Sequence, residues 1–258
     1  MLTSLEQIFK MKNVKYIKDY YNKYYTNGLD FYWDKTKMLN AFKTYENDDR
    51  QGKWLSKRMG IKGNEKILDC GCGIGGTMKQ IALLFPDIEI HGINVSDKQI
   101  DMAKVVLKNI DNCYLSVQDF TNTDYEDNTF DVVYFCESIC YNDYDKAINE
   151  SYRILKPEGI LYIKDLVIKC SKDELSKKEL NKLNDFIKSW YTNVFDTKTI
   201  IDKVDKIGGF KLINNKKFVK PSLNWINAVR KSDLKEYHNA KRTNIPPIRG
   251  ADFLYIAN

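Results

Sequence analysis

After residue 60, short apolar runs alternate with segments whose apolar residues recur at helical spacing. The first run, 67–69, predicts a strand, and a helix is predicted to follow at 75–85. Further strands are predicted at 88–94, 113–118, 130–136, 159–165, 210–215 and 251–257, and further helices at 97–108, 143–156, 172–190 and 197–206. Pro157 and Gly159 indicate the end of the helix before the fifth strand. The continuous apolar run 130–136 is typical of a parallel strand covered on both faces.

Residues 1–60 have no strand character and are rich in aromatic side chains. Helices are predicted near 4–25 and 37–59, as a cap that precedes the main fold. The aromatic residues here include Tyr16, Tyr20, Tyr21, Tyr24, Tyr25, Phe31, Tyr32 and Trp33. Such a cluster suits a substrate pocket, and ordinary helix packing explains it equally well.

The alternation of strands and helices predicts an α/β fold: a doubly wound, Rossmann-like sheet of seven mostly parallel strands with an N-terminal helical cap. We divide the chain into a cap over 1–60, which contributes to the substrate pocket, and a core over 61–258. Inserted helices are expected in the core around 172–190 and 222–242. Ligands of such sheets bind at the carboxyl ends of the strands, near the switch point.

A glycine-rich turn follows the first strand and is the most informative segment of the chain. Its glycines let the backbone approach a ligand closely and adopt positive φ, and the next helix begins with unpaired N–H groups. The spacing Gly71-x-Gly73-x-x-Gly76 also fits the dinucleotide fingerprint, which is a weak signal by itself. Asp69 changes the picture, because a carboxylate there would repel a pyrophosphate and attract an ammonium group. The turn therefore favours S-adenosylmethionine, a cofactor with a cationic amino-acid end.

The ends of the later strands supply further groups that such a nucleoside needs. Asn94, with Gln99 one helical turn on, is a neutral candidate for the ribose hydroxyls, and a strand-end cap is its alternative role. Asp119 is the candidate for the adenine amino group and Phe120 for the adenine ring, unless Asp119 is only a turn residue. The full set of predicted cofactor residues is Asp69, Gly71, Gly73, Asn94, Val95, Gln99, Asp119, Phe120 and, beside the sulfonium, Cys136.

These motifs, in this order, resemble class I S-adenosylmethionine-dependent methyltransferases over about 66–165. The resemblance is carried by Asp119 and the segments 68–73, 92–96, 130–133 and 155–159. The last segment, Leu-Lys-Pro-Glu-Gly, has only a structural meaning in that family. It is not shared by nicotinamide oxidoreductases, although they have a similar glycine turn.

A narrower resemblance points to one branch of this family. The pattern Gly92-x-x-x-Ser96-x-x-Gln99 is similar to that of sterol, tocopherol and prenyl-diphosphate C-methyltransferases and of cyclopropane fatty-acid synthases. Segment 137–143 resembles the Glu-Ser-x-x-Tyr-x-Asp pattern of geranyl diphosphate C-methyltransferases, and segment 20–22 resembles their Tyr-Tyr-Asx helix. The histidine-rich aromatic segment of that branch is replaced here by residues 31–33.

Methylation of an alkene carbon creates a carbocation, which needs aromatic faces and a base. Tyr21 and Tyr141 are the predicted aromatic residues of the reaction, and Glu137 at the tip of the fourth strand is the predicted base. The alternative role of the two tyrosines is ordinary packing. The alternative role of Glu137 is to cap a helix or to support the site without contacting the substrate. The leading function is thus C-methylation of an isoprenoid such as a prenyl diphosphate; the alternative is N-methylation of a small, phosphoethanolamine-like amine.

Charge and composition indicate which classes of molecule this chain can bind. The net charge is +6, and a locally basic segment at 211–242 indicates either a solvated face or an acidic substrate such as a diphosphate. If the substrate is a diphosphate, Mg²⁺ is expected to bind with it as a second cofactor. No metal site formed by protein ligands is expected. The partner is expected to be a small molecule and not a nucleic acid, because 136–139 is unlike the Asn/Asp-Pro-Pro-aromatic turn of base methyltransferases. A homo-oligomer is left open.

The expected location is the cytoplasm. Hydrophobic residues make up 43% and charged residues 29% of the chain, as in ordinary globular proteins. No apolar run is long enough for a membrane span, and the first residues lack the regions of a signal peptide. The six cysteines are interpreted as reduced thiols.

Overall fold

The structure, a computed structural model, describes residues 14–24, 51–190, 192–218 and 248–258. The helices in this part are α1 Val14–Tyr24, α2 Gln51–Met59, α3 Gly76–Leu84, α4 Asp97–Val106, α5 Tyr144–Ile154, α6 Lys177–Trp190 and α7 Thr197–Ile207. The strands are β1 Lys66–Cys70, β2 Glu89–Asn94, β3 Cys113–Val117, β4 Phe130–Cys136, β5 Leu155–Ile168, β6 Phe195–Asp196, β7 Phe210–Phe218 and β8 Ile248–Ala257. Short 3₁₀ turns lie at Ile139–Tyr141 and Lys172–Glu174.

All of these strands form one sheet. Its order is β3-β2-β1-β4-β5-β8-β7, and the two-residue β6 pairs with β5 outside this path. β1 to β5 pair in parallel, whereas β8 runs antiparallel to both β5 and β7. The order reverses between β1 and β4, which makes their carboxyl ends the switch point where ligands of such sheets bind. The predicted doubly wound, mostly parallel α/β fold is confirmed.

Most apolar side chains on the two faces of the sheet belong to two large cores. Along β1, Ile67 contributes to one core and Leu68 to the other, because successive side chains of a strand point to opposite faces. The core of Ile67 is completed by residues from α2, α3 and α4, such as Trp54. The core of Leu68 is completed by α5 and α7, through residues such as Ile148 and Ile200. Helices on both faces hold the site-bearing edge of the sheet in place.

The clearest difference from the predicted elements concerns the junction of α5 and β5. The helix was predicted to extend to residue 156, but α5 ends at Ile154 and β5 already begins at Leu155. Pro157 cannot continue a helix but is tolerated in extended chain. Glu158 takes a left-handed φ of 63°, and the pairing of β4 with β5 shifts register between Phe130 and Val132. The segment that contains Pro157 and Gly159 therefore forms the distorted beginning of β5 and not the end of a helix.

Other predictions fall partly outside the described residues. α1 and α2 lie within the predicted helices 4–25 and 37–59, and the remaining parts of these segments and the predicted helix around 222–242 lie outside. The domain division at residue 60 stays a prediction. All six cysteines are unbridged in the structure, and their reduced state stays a prediction. Among the described helices, none combines the length and the apolar character that crossing a bilayer requires.

Candidate active site

The glycine turn after β1 is tightly folded against β2 and the turn after β4. The N–H groups of Gly71 and Cys72 both donate to the carbonyl of Ile93, at 2.9 and 3.1 Å. Gly71 has a φ of 86°, and a Cβ at this position would lie 2.5 Å from Cβ of Ser138. A side chain here would be strained and would clash, so the turn needs glycine. Gly73 also has a positive φ, of 57°.

Asp69 is a buried carboxylate at the end of β1, with only 2% of its surface exposed. The Tyr134 hydroxyl donates to its Oδ2 at 2.5 Å. Burial raises the pKa of Asp69 to about 7, although the hydrogen bond from Tyr134 opposes the shift. The described part of the chain provides Asp69 with no ion-pair partner. A buried carboxylate with one donor and no opposite charge suits a ligand ammonium group, and the residues present therefore fit S-adenosylmethionine.

At the end of β2, Asn94 and Gln99 are joined directly. Asn94 Nδ2 donates to Gln99 Oε1 at 2.8 Å, and the Ser96 N–H donates to Asn94 Oδ1 at 3.0 Å. Ser96 also caps α4, because its Oγ accepts from the Gln99 N–H at 3.1 Å. Val95 lies half-buried between them. The structure thus brings three predicted cofactor residues together, and their contacts with a ribose stay a prediction.

α1 is attached to this same corner of the sheet. Ser96 Oγ donates to Asn22 Oδ1 at 2.6 Å, and Asn22 Nδ2 donates to Asp97 Oδ1 at 2.8 Å. Lys18 Nζ lies 3.3 Å from Asp97 Oδ2. The hydrogen bond from Asn22 lowers the pKa of Asp97. In the sequence, Ser96 is visible only as part of a motif, and no pattern indicates that Asn22 would bind it.

The predicted aromatic residues of the reaction are in contact. The rings of Tyr21 on α1 and Tyr141 after β4 meet edge to face, with centroids 5.4 Å apart. Tyr20 and Tyr21 also lie against Ile74 of the glycine turn. α1 therefore reaches from the end of β2 across the cofactor turn to the turn after β4.

Glu137, the predicted base, begins the turn after β4 in a left-handed conformation, with φ 58°. Its N–H donates to the Lys164 carbonyl at 2.6 Å, and its Oε1 forms an ion pair with Lys164 Nζ. Burial is the largest single influence on the pKa of Lys164 and lowers it, but Glu137, Cys136 and Asp165 together outweigh burial and raise this pKa. Lys164 is not among the residues predicted from the sequence, although the adjacent charges of Lys164 and Asp165 in an apolar strand are a visible signal.

Two further buried groups border this turn. Asp165 accepts from the N–H of Cys140 at 3.1 Å and from that of Leu166 at 2.7 Å, and burial raises its pKa to about 7. Cys136 is half-buried, and Gln51 Nε2 lies 3.4 Å from its Sγ. Burial raises the pKa of the Cys136 thiol to about 12, so it stays protonated and uncharged at neutral pH. Its predicted place beside a sulfonium stays a prediction.

Asp119, the predicted adenine partner, is held through one oxygen. Its Oδ1 accepts from the Thr121 N–H at 2.9 Å and from Asn142 Nδ2 at 3.0 Å. Asn142 is itself bound, since its carbonyl accepts from Asn193 Nδ2 at 2.9 Å. The described residues leave Oδ2 of Asp119 available for a ligand. Phe120 is buried in the core, edge to face with Phe135 at 5.3 Å, so little of its ring can cover an adenine in this arrangement.

The sheet order, the glycine turn and the buried carboxylate define a class I methyltransferase. Residues 61–224 match a family model described as a methyltransferase domain, which is more than half of the chain. The chain therefore belongs to the methyltransferase-domain family. The prediction of a class I S-adenosylmethionine-dependent methyltransferase is confirmed.

Similar proteins agree with this assignment. The sterol 24-C-methyltransferase of Eremothecium gossypii is 29% identical over 197 residues, covering 72% of this chain and 52% of that protein. Geranyl diphosphate C-methyltransferase from Streptomyces coelicolor, solved with Mg²⁺, geranyl diphosphate and S-adenosyl-L-homocysteine, has a TM-score of 0.72 at 15% identity, over 95% of this chain and 97% of that one.

The [4+2]-cyclase SpnF has the same TM-score, 0.72, at 17% identity, over 95% and 97% of the two chains. Likeness to solved structures at such identity shows the fold only. The chain spans about half the length of the curated relatives it matches.

Proposed function

We propose that this chain catalyses S-adenosylmethionine-dependent C-methylation of an isoprenoid, such as a prenyl diphosphate. One observation carries the proposal: the turn after β4 combines a carboxylate, Glu137, ion-paired with Lys164, and an aromatic ring, Tyr141, in contact with Tyr21. Amine methylation needs no base to remove a proton from carbon, whereas C-methylation of an alkene does.

The cofactor residues would act by positioning. When bound, S-adenosylmethionine supplies an electrophilic methyl group. Asp69 would hold its ammonium group, the turn at Gly71 would allow close backbone approach, and Asp119 would accept from the adenine amino group. Methyl transfer is an in-line displacement, in which holding both reactants in place supplies much of the rate acceleration.

The remaining predicted residues, Tyr21, Tyr141 and Glu137, would act on the methyl acceptor. The alkene electron pair would form the new C–C bond to the methyl group as the methyl–sulfur bond breaks, leaving a carbocation on the acceptor. The ring faces of Tyr21 and Tyr141 would stabilise this cation. Glu137 would then take a proton from the neighbouring carbon, whose C–H electron pair closes the new double bond. The ion pair with Lys164 would hold the Glu137 carboxylate in place for this step.

The isoprenoid class is supported by the sterol 24-C-methyltransferase relative and by the fold of geranyl diphosphate C-methyltransferase. The attachment of α1 to the site supports the proposal that the N-terminal cap contributes to the pocket. If the substrate is a diphosphate, we propose that basic residues of 211–242 and Mg²⁺ bind its head group. Within that segment the structure describes three lysines on β7, namely Lys211, Lys216 and Lys217. The cytoplasmic location stays a prediction.

The substitution Glu137→Gln tests the role of the base. It keeps the shape of the side chain but removes its ability to accept a proton, so C-methylation of a prenyl acceptor should fall by about a hundredfold or more. Glu126→Gln, at an exposed glutamate, is the matched control and should keep full activity. Turnover is measured with methyl-labelled cofactor. Full turnover by the Glu137→Gln enzyme, above all on an amine such as phosphoethanolamine, would favour the N-methyltransferase instead.

A further inference from the structure

We infer that Lys164 is a positioning residue for this reaction: its ammonium group fixes the Glu137 carboxylate at the tip of β4. The inference rests on the proposed function, in which Glu137 takes the proton. It adds a residue to which neither the methyltransferase motifs nor the sequence pattern assigned a role.

Lys164 holds Glu137 at two points. The Lys164 carbonyl accepts from the Glu137 N–H at 2.6 Å, and the Lys164 ammonium group binds Glu137 Oε1. The left-handed backbone of Glu137 is uncommon for a residue other than glycine, with φ 58°. The backbone bond fixes where the side chain leaves the turn, and the ion pair fixes where its carboxylate ends.

Both charged groups are almost removed from water. The exposed fraction of the side chain is 1% for Lys164 and 9% for Glu137. Buried charges are tolerated only where they are paired, and Lys164 and Glu137 pair with each other. Removing the ammonium group would therefore remove a contact that holds the carboxylate in place.

The neighbouring charges are consistent with this pairing. Asp252 on β8 lies opposite Lys164 in the sheet, but its carboxylate is bound by Arg58 of α2 at 2.8 Å and by the Tyr162 hydroxyl at 2.9 Å. Among the residues that the structure describes, Cys136 on β4 and Asp165 on β5 are further titratable groups near Lys164. The Cys136 thiol is protonated at neutral pH, because burial raises its pKa to about 12. Asp165 accepts hydrogen bonds from the N–H groups of the 3₁₀ turn and of its own strand.

The test compares Lys164→Met with the wild type and with Lys156→Met. Lys156 is a matched control, because it forms an ion pair with Asp131 at 2.8 Å at a more exposed place outside the site. Methyl transfer to a prenyl acceptor is measured as kcat and KM for each variant. Calorimetry measures the affinity of each variant for S-adenosylhomocysteine.

In Lys164→Met, kcat for C-methylation should fall by about tenfold or more, because the contact that fixes the base is lost, while KM for the acceptor and the affinity for S-adenosylhomocysteine stay at the wild-type values. Lys156→Met should behave as the wild type. A purely structural role for Lys164 would impair binding together with the rate. Lys164→Arg keeps a cation opposite Glu137 and should restore most of the rate.

Each failure has its own signature. A wild-type kcat in Lys164→Met overturns the role of Lys164, while a loss of activity in Glu137→Gln still supports the proposed base. Full C-methylation by Glu137→Gln overturns the proposed base, whatever the Lys164 variants show. Should Lys164→Met fail to fold, Lys164→Arg and Lys164→Gln are compared instead, and equal rates for these two refute the inference.

Discussion

The buried Asp69 carboxylate predicts how the affinity for the cofactor depends on pH. Burial raises its pKa to about 7 in the protein without ligand, so a sizeable fraction is protonated at neutral pH. An ammonium group is attracted by the ionised carboxylate and not by the neutral acid. Cofactor binding should therefore release a proton, and the affinity should increase as the pH rises towards and through about 7.

The size of the effect follows from this pKa. With a pKa of about 7, the ionised fraction increases from roughly one tenth at about pH 6 to roughly three quarters at about pH 7.5. If only the ionised form binds tightly, affinity should increase roughly eightfold over this interval, or about 1.2 kcal/mol. Tyr134 donates to the carboxylate and favours its ionised form, so Tyr134→Phe should move the midpoint to higher pH.

Calorimetric titration with S-adenosylhomocysteine, in two buffers of different ionisation enthalpy, measures both affinity and proton release. Asp69→Asn should bind at least about tenfold more weakly and lose the pH dependence. Asp101→Asn, at an exposed carboxylate of α4, is the matched control and should behave as the wild type. A wild-type affinity that is constant over this pH interval, or an Asp69→Asn protein with the wild-type slope, would refute the role of Asp69.

Two further substitutions test the cofactor turn and the adenine site. Gly71→Ala should destabilise the protein by about 2–4 kcal/mol in thermal unfolding, because a positive φ and a clash with Ser138 act together. Gly60→Ala, with φ 71° and nothing within 4 Å of the added Cβ, should cost only about 1–2 kcal/mol, and equal losses would contradict the close approach. Asn142→Ala releases Asp119 and should weaken binding of S-adenosylhomocysteine severalfold but hardly affect its inosine analogue, which lacks the adenine amino group. Equal losses for both ligands would show that Asn142 does not act through the adenine site.

The regular part of the fold could be predicted because its signals are local. The run 130–136 coincides with the bounds of β4, since an apolar segment between polar ones has few alternatives to a buried strand. The beginning of β5 could not be predicted, because Pro157 and Gly159 look like an interruption in any local pattern. Only the pairing with β4, more than twenty residues away in sequence, shows that the distorted segment is part of the strand.

In the candidate site, too, the local features could be predicted from the sequence and the long-range contacts could not. The turn from Asp69 to Gly73 is a contiguous motif, and the sequence indicated both its place in the fold and its chemistry. The contacts that hold Glu137 and α1 join residues far apart in the chain, such as Lys164 with Glu137 and Ser96 with Asn22. Such contacts cannot be predicted from the spacing of residues in the sequence, because they depend on the register between strands and on how the helices pack against the sheet.

The most direct test of the account follows a ¹³C-labelled methyl group from S-adenosylmethionine into acceptors by NMR, using prenyl diphosphates, sterols and phosphoethanolamine in parallel. The account predicts a new carbon–carbon bond on an isoprenoid, and loss of that product in Glu137→Gln. Label found only on the nitrogen of an amine, or C-methylation that persists at the wild-type rate without the Glu137 carboxylate, would contradict it.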